Sequence, residues 1–225
     1  MQTSDKTISQ VFDEFLSDQE DRLKPKTFAK YRSIIDLFES YLESYWPSHD
    51  QDEYKKITGN GGTFCGTFGP EEILGGYSEF LGYFMPHKVM CGKDTMQAAG
   101  TVTKKLAKWL AEKGYVEDAS FAEDRAGEAA KELPAAQDVL DLLDEFVDLN
   151  APDDYEDEIQ DHFWIKKIEP GKLWLEALTM HDGVIGPVPV PKKVTQIVKE
   201  MWDIGGVIVK TSRGWRFLEV WKVSP

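Results

Sequence analysis

The 225-residue sequence has few cysteines and no long apolar run. Two cysteines, Cys65 and Cys91, are too few for a disulfide scaffold or a four-sulfur metal site. No apolar stretch reaches the length of about 18 residues that a membrane span needs, and the first residues lack the basic start of a secretory leader. We therefore expect a cytoplasmic protein without a membrane partner.

Motifs of catalysis and of metal binding are also missing. The four histidines and two cysteines show no C-x-x-C or H-x-x-x-H spacing, and there is no Gly-x-Ser-x-Gly elbow. His87 and Cys91 lie one helical turn apart, but Pro86 and Gly92 predict a turn there instead of a helix that would align them. The glycine cluster at residues 59–62 lacks the Lys-Ser/Thr ending of a phosphate-binding loop. We predict a protein that is not an enzyme and has no cofactor or metal.

The net charge of −14 is concentrated in the middle of the chain. Residues 1–115 contain 14 Lys and Arg against 17 Asp and Glu, and residues 166–225 contain 10 against 6. Residues 116–165 contain 2 against 17. An acidic surface repels nucleic acid, so the two flanking parts are electrostatically better suited to bind it than the total charge suggests.

Apolar residues at helical spacing predict four helices in the first part of the chain. Thr7 and Gln10 form a capping box before the first apolar stripe, and Asp94 with Gln97 resembles a second one. The predicted helices begin near Ile8, Phe28, Pro70 and Asp94, and they end before Pro25, Pro47, Pro86 and Gly114. We predict a four-helix bundle over residues 1–115.

The remaining residues predict a connector and a β-rich domain, which makes the fold class α+β. Residues 116–161 read as an acidic helical connector, with one helix after Pro134 and a solvated run at Asp153–Glu158 that lacks the central glycine of a calcium loop. Residues 162–225 read as three strands, a short helix over 191–201 and two more strands. That order fits a small β-barrel of the OB type, and an SH3-like barrel fits nearly as well.

The first half of the chain resembles the core-binding domain of tyrosine recombinases, the phage integrases. The resemblance rests on the opening helix Ile8–Leu16, on Lys26-Thr27 with the apolar stripe that follows, and on the last helix from Thr101 to Leu110, which closes on Glu112–Tyr115. It implies a four-helix bundle that clamps DNA, with the second and fourth helices nearest the duplex. The candidate DNA-binding residues that it implies are Lys26 and Lys30 on the second helix and Lys104, Lys105 and Lys108 on the fourth.

The resemblance does not extend to the recombinase catalytic domain. The family cleaves DNA with two arginines, a lysine, histidines and a tyrosine, whereas the residues after 115 read as connector and barrel. His181 is followed by Asp182 instead of the arginine of the family's motif. We therefore predict no strand cleavage.

Several hypotheses of function remain open from the sequence. The first is a non-catalytic DNA-binding protein that uses the five lysines, although these could instead be merely solvated. The alternative is a protein–protein adaptor in which the acidic connector repels nucleic acid and the barrel binds a peptide or packs on the helical bundle. A third possibility is that the acidic stretch mimics DNA within the chain and blocks binding. In the barrel, Trp202, Trp215 and Trp221 lie near basic residues in the sequence and could stack the bases of single-stranded nucleic acid, or these tryptophans could simply form the core.

Overall fold

The computed structural model describes residues 6–45, 59, 61–179 and 183–225. The predicted α+β class is confirmed, because helices dominate the first part of the chain and an antiparallel sheet dominates the last. The chain divides into two compact units, Met1–Lys131 and Glu132–Pro225. Within the described ranges, no helix combines the length and the apolarity that crossing a membrane would take.

The first two helices form as the sequence predicts. Helix α1 spans Ile8–Glu20, and its capping box is complete, with the Thr7 and Gln10 side chains each bonded to the other residue's backbone N–H. Helix α2 spans Pro25–Tyr45 and begins at a proline, whose fixed φ suits the first helical position. Their apolar stripes meet, because Phe12 packs against Phe38 and Phe15 stacks on Tyr31.

The predicted third helix is wrong in its geometry. Residues 70–88 form a series of short turns instead of one α-helix: 3₁₀ turns at Pro70–Glu72 and Leu74–Gly76, an α turn at Tyr77–Glu79, a π segment at Phe80–Phe84 and a final α turn at Met85–Lys88. Pro86 lies inside the last turn instead of ending the helix. A proline has no N–H to donate to the carbonyl four residues before it. The π segment that precedes Pro86 uses a wider hydrogen-bond pattern, which is compatible with this missing donor.

Helix α3 spans Lys93–Glu112, as expected, but its start differs from the prediction. Its N-cap is Gly92 without a side-chain hydrogen bond, so the predicted capping box of Asp94 and Gln97 is wrong. Its end is the predicted one. Gly114 has a φ of +75°, and the next N–H, that of Tyr115, donates to the Leu110 carbonyl.

Helix α4 spans Ser120–Asn150 as one continuous element of 31 residues. The prediction of a helix that starts only after Pro134 is therefore wrong, since Pro134 lies inside α4. The buried residues before Pro134 are mostly alanines, which gave a weak apolar signal: Ala119, Ala122, Ala126 and Ala129. The unit boundary falls within α4, so residues expected to form a separate connector belong to both units.

The first unit is held together by aromatic packing and by one close helix crossing. Phe38 contacts Phe80 and Tyr77 with ring centres 4.6 Å and 5.2 Å away. At the crossing of α3 with the first part of α4, Gly100 has no room for a side chain. A Cβ atom there would lie 2.3 Å from the Ala130 backbone nitrogen.

The second unit contains a five-stranded antiparallel sheet in the order β3-β2-β1-β4-β5. The strands are β1 Asp157–Glu169, β2 Lys172–Ala177, β3 Val184–Pro189, β4 Asp203–Thr211 and β5 Gly214–Ser224. The predicted short helix over 191–201 is reduced to a 3₁₀ turn at Val194–Gln196. The acidic run is not purely a linker, because Asp157 and Glu158 pair with Lys210 and Val209 of β4 at the start of β1.

One face of the sheet packs on the second part of α4. Val139, Leu143 and Val147 of the helix belong to the same buried cluster as Phe163 and Ile204 of the sheet. This core gives the second unit a helix-on-sheet architecture.

Two β-bulges alter the side-chain pattern of β5. The register shifts opposite Gly205–Gly206 and Val207–Ile208 leave Trp221 and Leu218 as extra residues. Inward positions of β5 are therefore spaced by three residues: Phe217, Val220 and Val223.

Candidate nucleic-acid interface

The lysines of α2 lie near its first turns. Lys26 and Lys30 are both exposed, and the turn that carries them is closed by the Lys24 carbonyl, which accepts from the Thr27 and Phe28 N–H groups. The Lys30 ammonium lies 3.3 Å from an Asp94 carboxylate oxygen at the start of α3. Both groups are solvent-exposed, and ion pairs between exposed groups are weak. Asp94 therefore neutralises the charge of Lys30 only in part.

The lysines of α3 lie along its second half. Lys104 and Lys108 are exposed, whereas Lys105 is half-buried. Lys108 pairs with Glu112 one turn later at 3.8 Å. The Lys104 side chain lies across Gly127 of α4, where a Cβ atom would come within 3.1 Å of the ammonium.

Helices α2 and α3 are neighbours, so the structure brings the two lysine-bearing elements together. A groove of about 230 Å³ separates their N-terminal halves, lined by Lys30, Ile34 and Ala98 among others. The lysines themselves form two groups. The first group lies near Asp94, the ion-pair partner of Lys30, and the second group begins at Lys104. Ten residues separate Asp94 from Lys104, so the two groups are about 15 Å apart along the axis of α3.

Two other cations of the first unit serve an internal ion-pair network. Glu14 of α1 accepts hydrogen bonds from the Lys6 and Lys113 ammonium groups and from the Tyr115 hydroxyl. These donors, Lys6 above all, lower the pKa of Glu14 to about 2. Lys113 also pairs with Asp18 at 2.9 Å, so this network fastens α1 to the end of α3.

Cys65 is buried in a turn that α2 holds in place. The N–H groups of Phe64 and Cys65 both donate to the Glu43 carboxylate at 2.8 Å. Burial, with Glu43 and Glu39 nearby, raises the pKa of the Cys65 thiol well above its usual range. A thiol held neutral in this way is a poor nucleophile, and no disulfide joins Cys65 to Cys91.

The tryptophans of the second unit have different environments. Trp202 is buried in the core, and Trp215 packs against that core with the Lys210 ammonium 6.0 Å from its ring centre. Trp221 is 41% exposed, because its bulge turns it away from the core. The core interpretation therefore describes Trp202 and Trp215 and fails for Trp221.

Two further aromatic residues, which the sequence motifs did not single out, lie on the outer face of the sheet. Trp164 of β1 is 39% exposed. On β2, the ring centre of Trp174 lies 4.5 Å from the Lys167 ammonium. The same ring packs against Gly186, where an added Cβ atom would lie 2.9 Å from Trp174 Cδ1. The sequence did contain a pattern that predicts this position. Trp164 and Trp174 each lie between two residues that are buried, and alternate residues of a strand point to opposite faces of the sheet.

A short polar contact joins neighbouring strands of the second unit. His162 Nδ1 on β1 lies 2.7 Å from an Asp203 carboxylate oxygen on β4. Both residues are partly buried, so the contact helps to fix the pairing of these strands.

Comparison of the chain with models of protein families, with curated proteins and with solved structures found no match.

Proposed function

We propose that this chain is a non-catalytic protein that binds duplex DNA through the lysines of α2 and α3. The observation that carries the proposal is the direct packing of α2 on α3. Helices that pack on each other can present side chains to one ligand, as the resemblance to a recombinase core-binding domain requires. The five lysines Lys26, Lys30, Lys104, Lys105 and Lys108 all retain solvent access on these helices.

The spacing of the lysines suits a phosphate backbone. The two groups are separated by about 15 Å along α3, which equals roughly four base-pair steps of 3.4 Å along the axis of a DNA duplex. The two groups could therefore contact phosphates a few nucleotides apart. Each contact would release counterions and make the affinity fall with salt.

The finer fold assignments belong to the same proposal. We infer that the first unit is a recombinase-like bundle made of α1, α2, α3 and the turns at residues 70–88. We also infer that the sheet is an OB-type barrel. Its strand order supports the barrel, as does the proximity of the edge strands β3 and β5.

The experiment is a fluorescence-anisotropy titration of the full chain with a labelled duplex at low salt. The variants are Lys104→Gln/Lys105→Gln/Lys108→Gln and Lys26→Gln/Lys30→Gln. We expect each set to weaken binding by about tenfold or more, since each lost phosphate contact removes a favourable term. Lys172→Gln on β2 is a single-charge control, because it removes one exposed charge far from both helices in sequence.

The lysine variants have clear outcomes. Wild-type affinity in both sets would reject the proposed surface, and absence of binding by the unmodified chain at low salt would reject the proposed function. Circular dichroism of each variant verifies that the helices remain folded.

A protein–protein adaptor is the second candidate function. It is favoured by large apolar side chains at the surface, since Phe121 is 72% exposed and Leu149 is 77% exposed. Proximity labelling in cells, with the wild type and Phe121→Ser side by side, tests it. An adaptor that uses Phe121 loses specific partners in the variant, while DNA affinity stays unchanged.

A further inference from the structure

The hairpin between β4 and β5 borders a polar groove of about 430 Å³. Ser212, Arg213 and Arg216 are among the residues that line it. Asp153 and Asp154, which follow α4, also line it. All these residues belong to the second unit, so the groove is a feature of that unit alone.

Hydrogen bonds fix the backbone of the hairpin at Arg213 and the side chain of Arg216. The Thr211 hydroxyl accepts from the Arg213 N–H at 3.1 Å and donates to the Gly214 carbonyl at 2.8 Å. Gly214 has a φ of +100°, which favours glycine and closes the turn. Arg216 donates one N–H to the Trp215 carbonyl at 2.7 Å, and a guanidinium has four further donors.

Neither guanidinium is engaged by an acid. Across the described ranges of the chain, no ion pair within 4.0 Å joins Arg213 or Arg216 to a carboxylate. Asp153 and Asp154 line the same groove without closing such a pair. The arginines therefore keep donors for a ligand, while the acids lower the positive potential that a ligand would experience.

We propose that this groove binds the phosphate group of a ligand, with Arg213 and Arg216 as the binding residues. Arginine presents paired N–H donors that match phosphate oxygens, and Ser212, which also lines the groove, carries a hydroxyl donor. Asp153 and Asp154 oppose the anion and set the affinity at a low level. The site lies outside α2 and α3, so it stands or falls independently of the proposed DNA surface.

The test is an NMR titration of the full chain with inorganic phosphate, at constant ionic strength maintained with chloride. Backbone amide signals of Thr211 to Gly214 report on the groove. We expect saturable shifts at these positions. We expect Asp153→Asn/Asp154→Asn to tighten phosphate binding about fivefold, since two like charges near the anion are removed. Arg213→Gln should weaken it about tenfold, and Arg213→Lys should restore part of the loss.

The matched control is Glu156→Gln/Glu158→Gln. It also removes two negative charges from the same acidic segment, but at exposed side chains that do not line the groove. We expect a gain of less than twofold from it, because these two charges do not line the groove and salt screens their longer-range repulsion of the anion. Equal gains in the two double variants would overturn the role of Asp153 and Asp154. Absence of saturable shifts in Asp153→Asn/Asp154→Asn, or wild-type affinity in Arg213→Gln, would overturn the site.

Discussion

Replacing Gly100 by alanine would place a methyl group where the backbone of α4 already lies. The new Cβ atom would be 2.3 Å from the Ala130 nitrogen and 2.7 Å from the Ala126 carbonyl oxygen. Ordinary contact begins near 3.4 Å, so α4 must move outward by about 1 Å along this crossing. Backbone atoms cannot rotate away as a side chain can, and we therefore assign overpacking near its upper range of about 3 kcal/mol.

The helix propensity of alanine offsets part of that cost, because alanine is favoured over glycine in a helix by about 1 kcal/mol. We expect Gly100→Ala to lower the free energy of unfolding by about 2 kcal/mol. Urea denaturation followed by circular dichroism measures it, and the expected shift of the midpoint is on the order of 1 M.

Gly127→Ala is the matched control for this prediction. It is also a glycine of the first unit, but its Cβ atom would meet only the end of the flexible Lys104 side chain, at 3.1 Å. We expect Gly127→Ala to be neutral or to stabilise by up to about 1 kcal/mol. A Gly100→Ala protein as stable as the wild type would refute the close crossing of α3 and α4.

Three further predictions concern local interactions. The folded-state pKa of Glu14, about 2, lies below its usual 4.5, so its stabilisation is present above about pH 4.5 and is lost as the pH falls towards 2. We test this by measuring the free energy of unfolding of the wild type and of Glu14→Gln as a function of pH. The variant should be less stable by about 1 kcal/mol at neutral pH, and the difference should vanish near pH 2. Glu43→Gln should raise the rate at which thiol reagents modify Cys65, measured by mass spectrometry, because the turn loses its charged anchor; an unchanged rate would show that burial alone protects the thiol. Gly114→Ala should lower the thermal midpoint of unfolding, because the φ of +75° at this position is unfavourable for alanine by about 1 kcal/mol. An unchanged midpoint would argue against Gly114 as the C-terminal cap of α3.

Local patterns were sufficient to predict α1, α2 and most strands. The stripes of α1 and α2 place apolar residues on one face within a few turns, so no distant contact was needed to recognise them. The turns at residues 70–88 depend instead on tertiary packing, because Gly76 lies where a Cβ atom would come 2.9 Å from Leu42. Helix α4 was underestimated, because buried alanines such as Ala126 look like surface residues in a sequence.

The candidate sites were partly predictable for the same reason. Helical periodicity places Lys104 and Lys108 off the apolar stripe, and both are exposed in the structure. The pairing of Lys30 with Asp94, 64 residues away, could not be read from periodicity. The outward position of Trp221 also could not, since a bulge shifts the alternation that the sequence suggests.

The most direct test of the proposed DNA surface is the salt dependence of duplex binding. We compare the wild type with a variant in which Lys26, Lys30, Lys104, Lys105 and Lys108 are all glutamine. A plot of log affinity against log salt has a slope of about −0.9 per phosphate contacted, so the loss of five lysine contacts should make the slope shallower by about 4 to 5 in the variant. Identical slopes in the two proteins would contradict the account, because the lysines of α2 and α3 would then contact no phosphate.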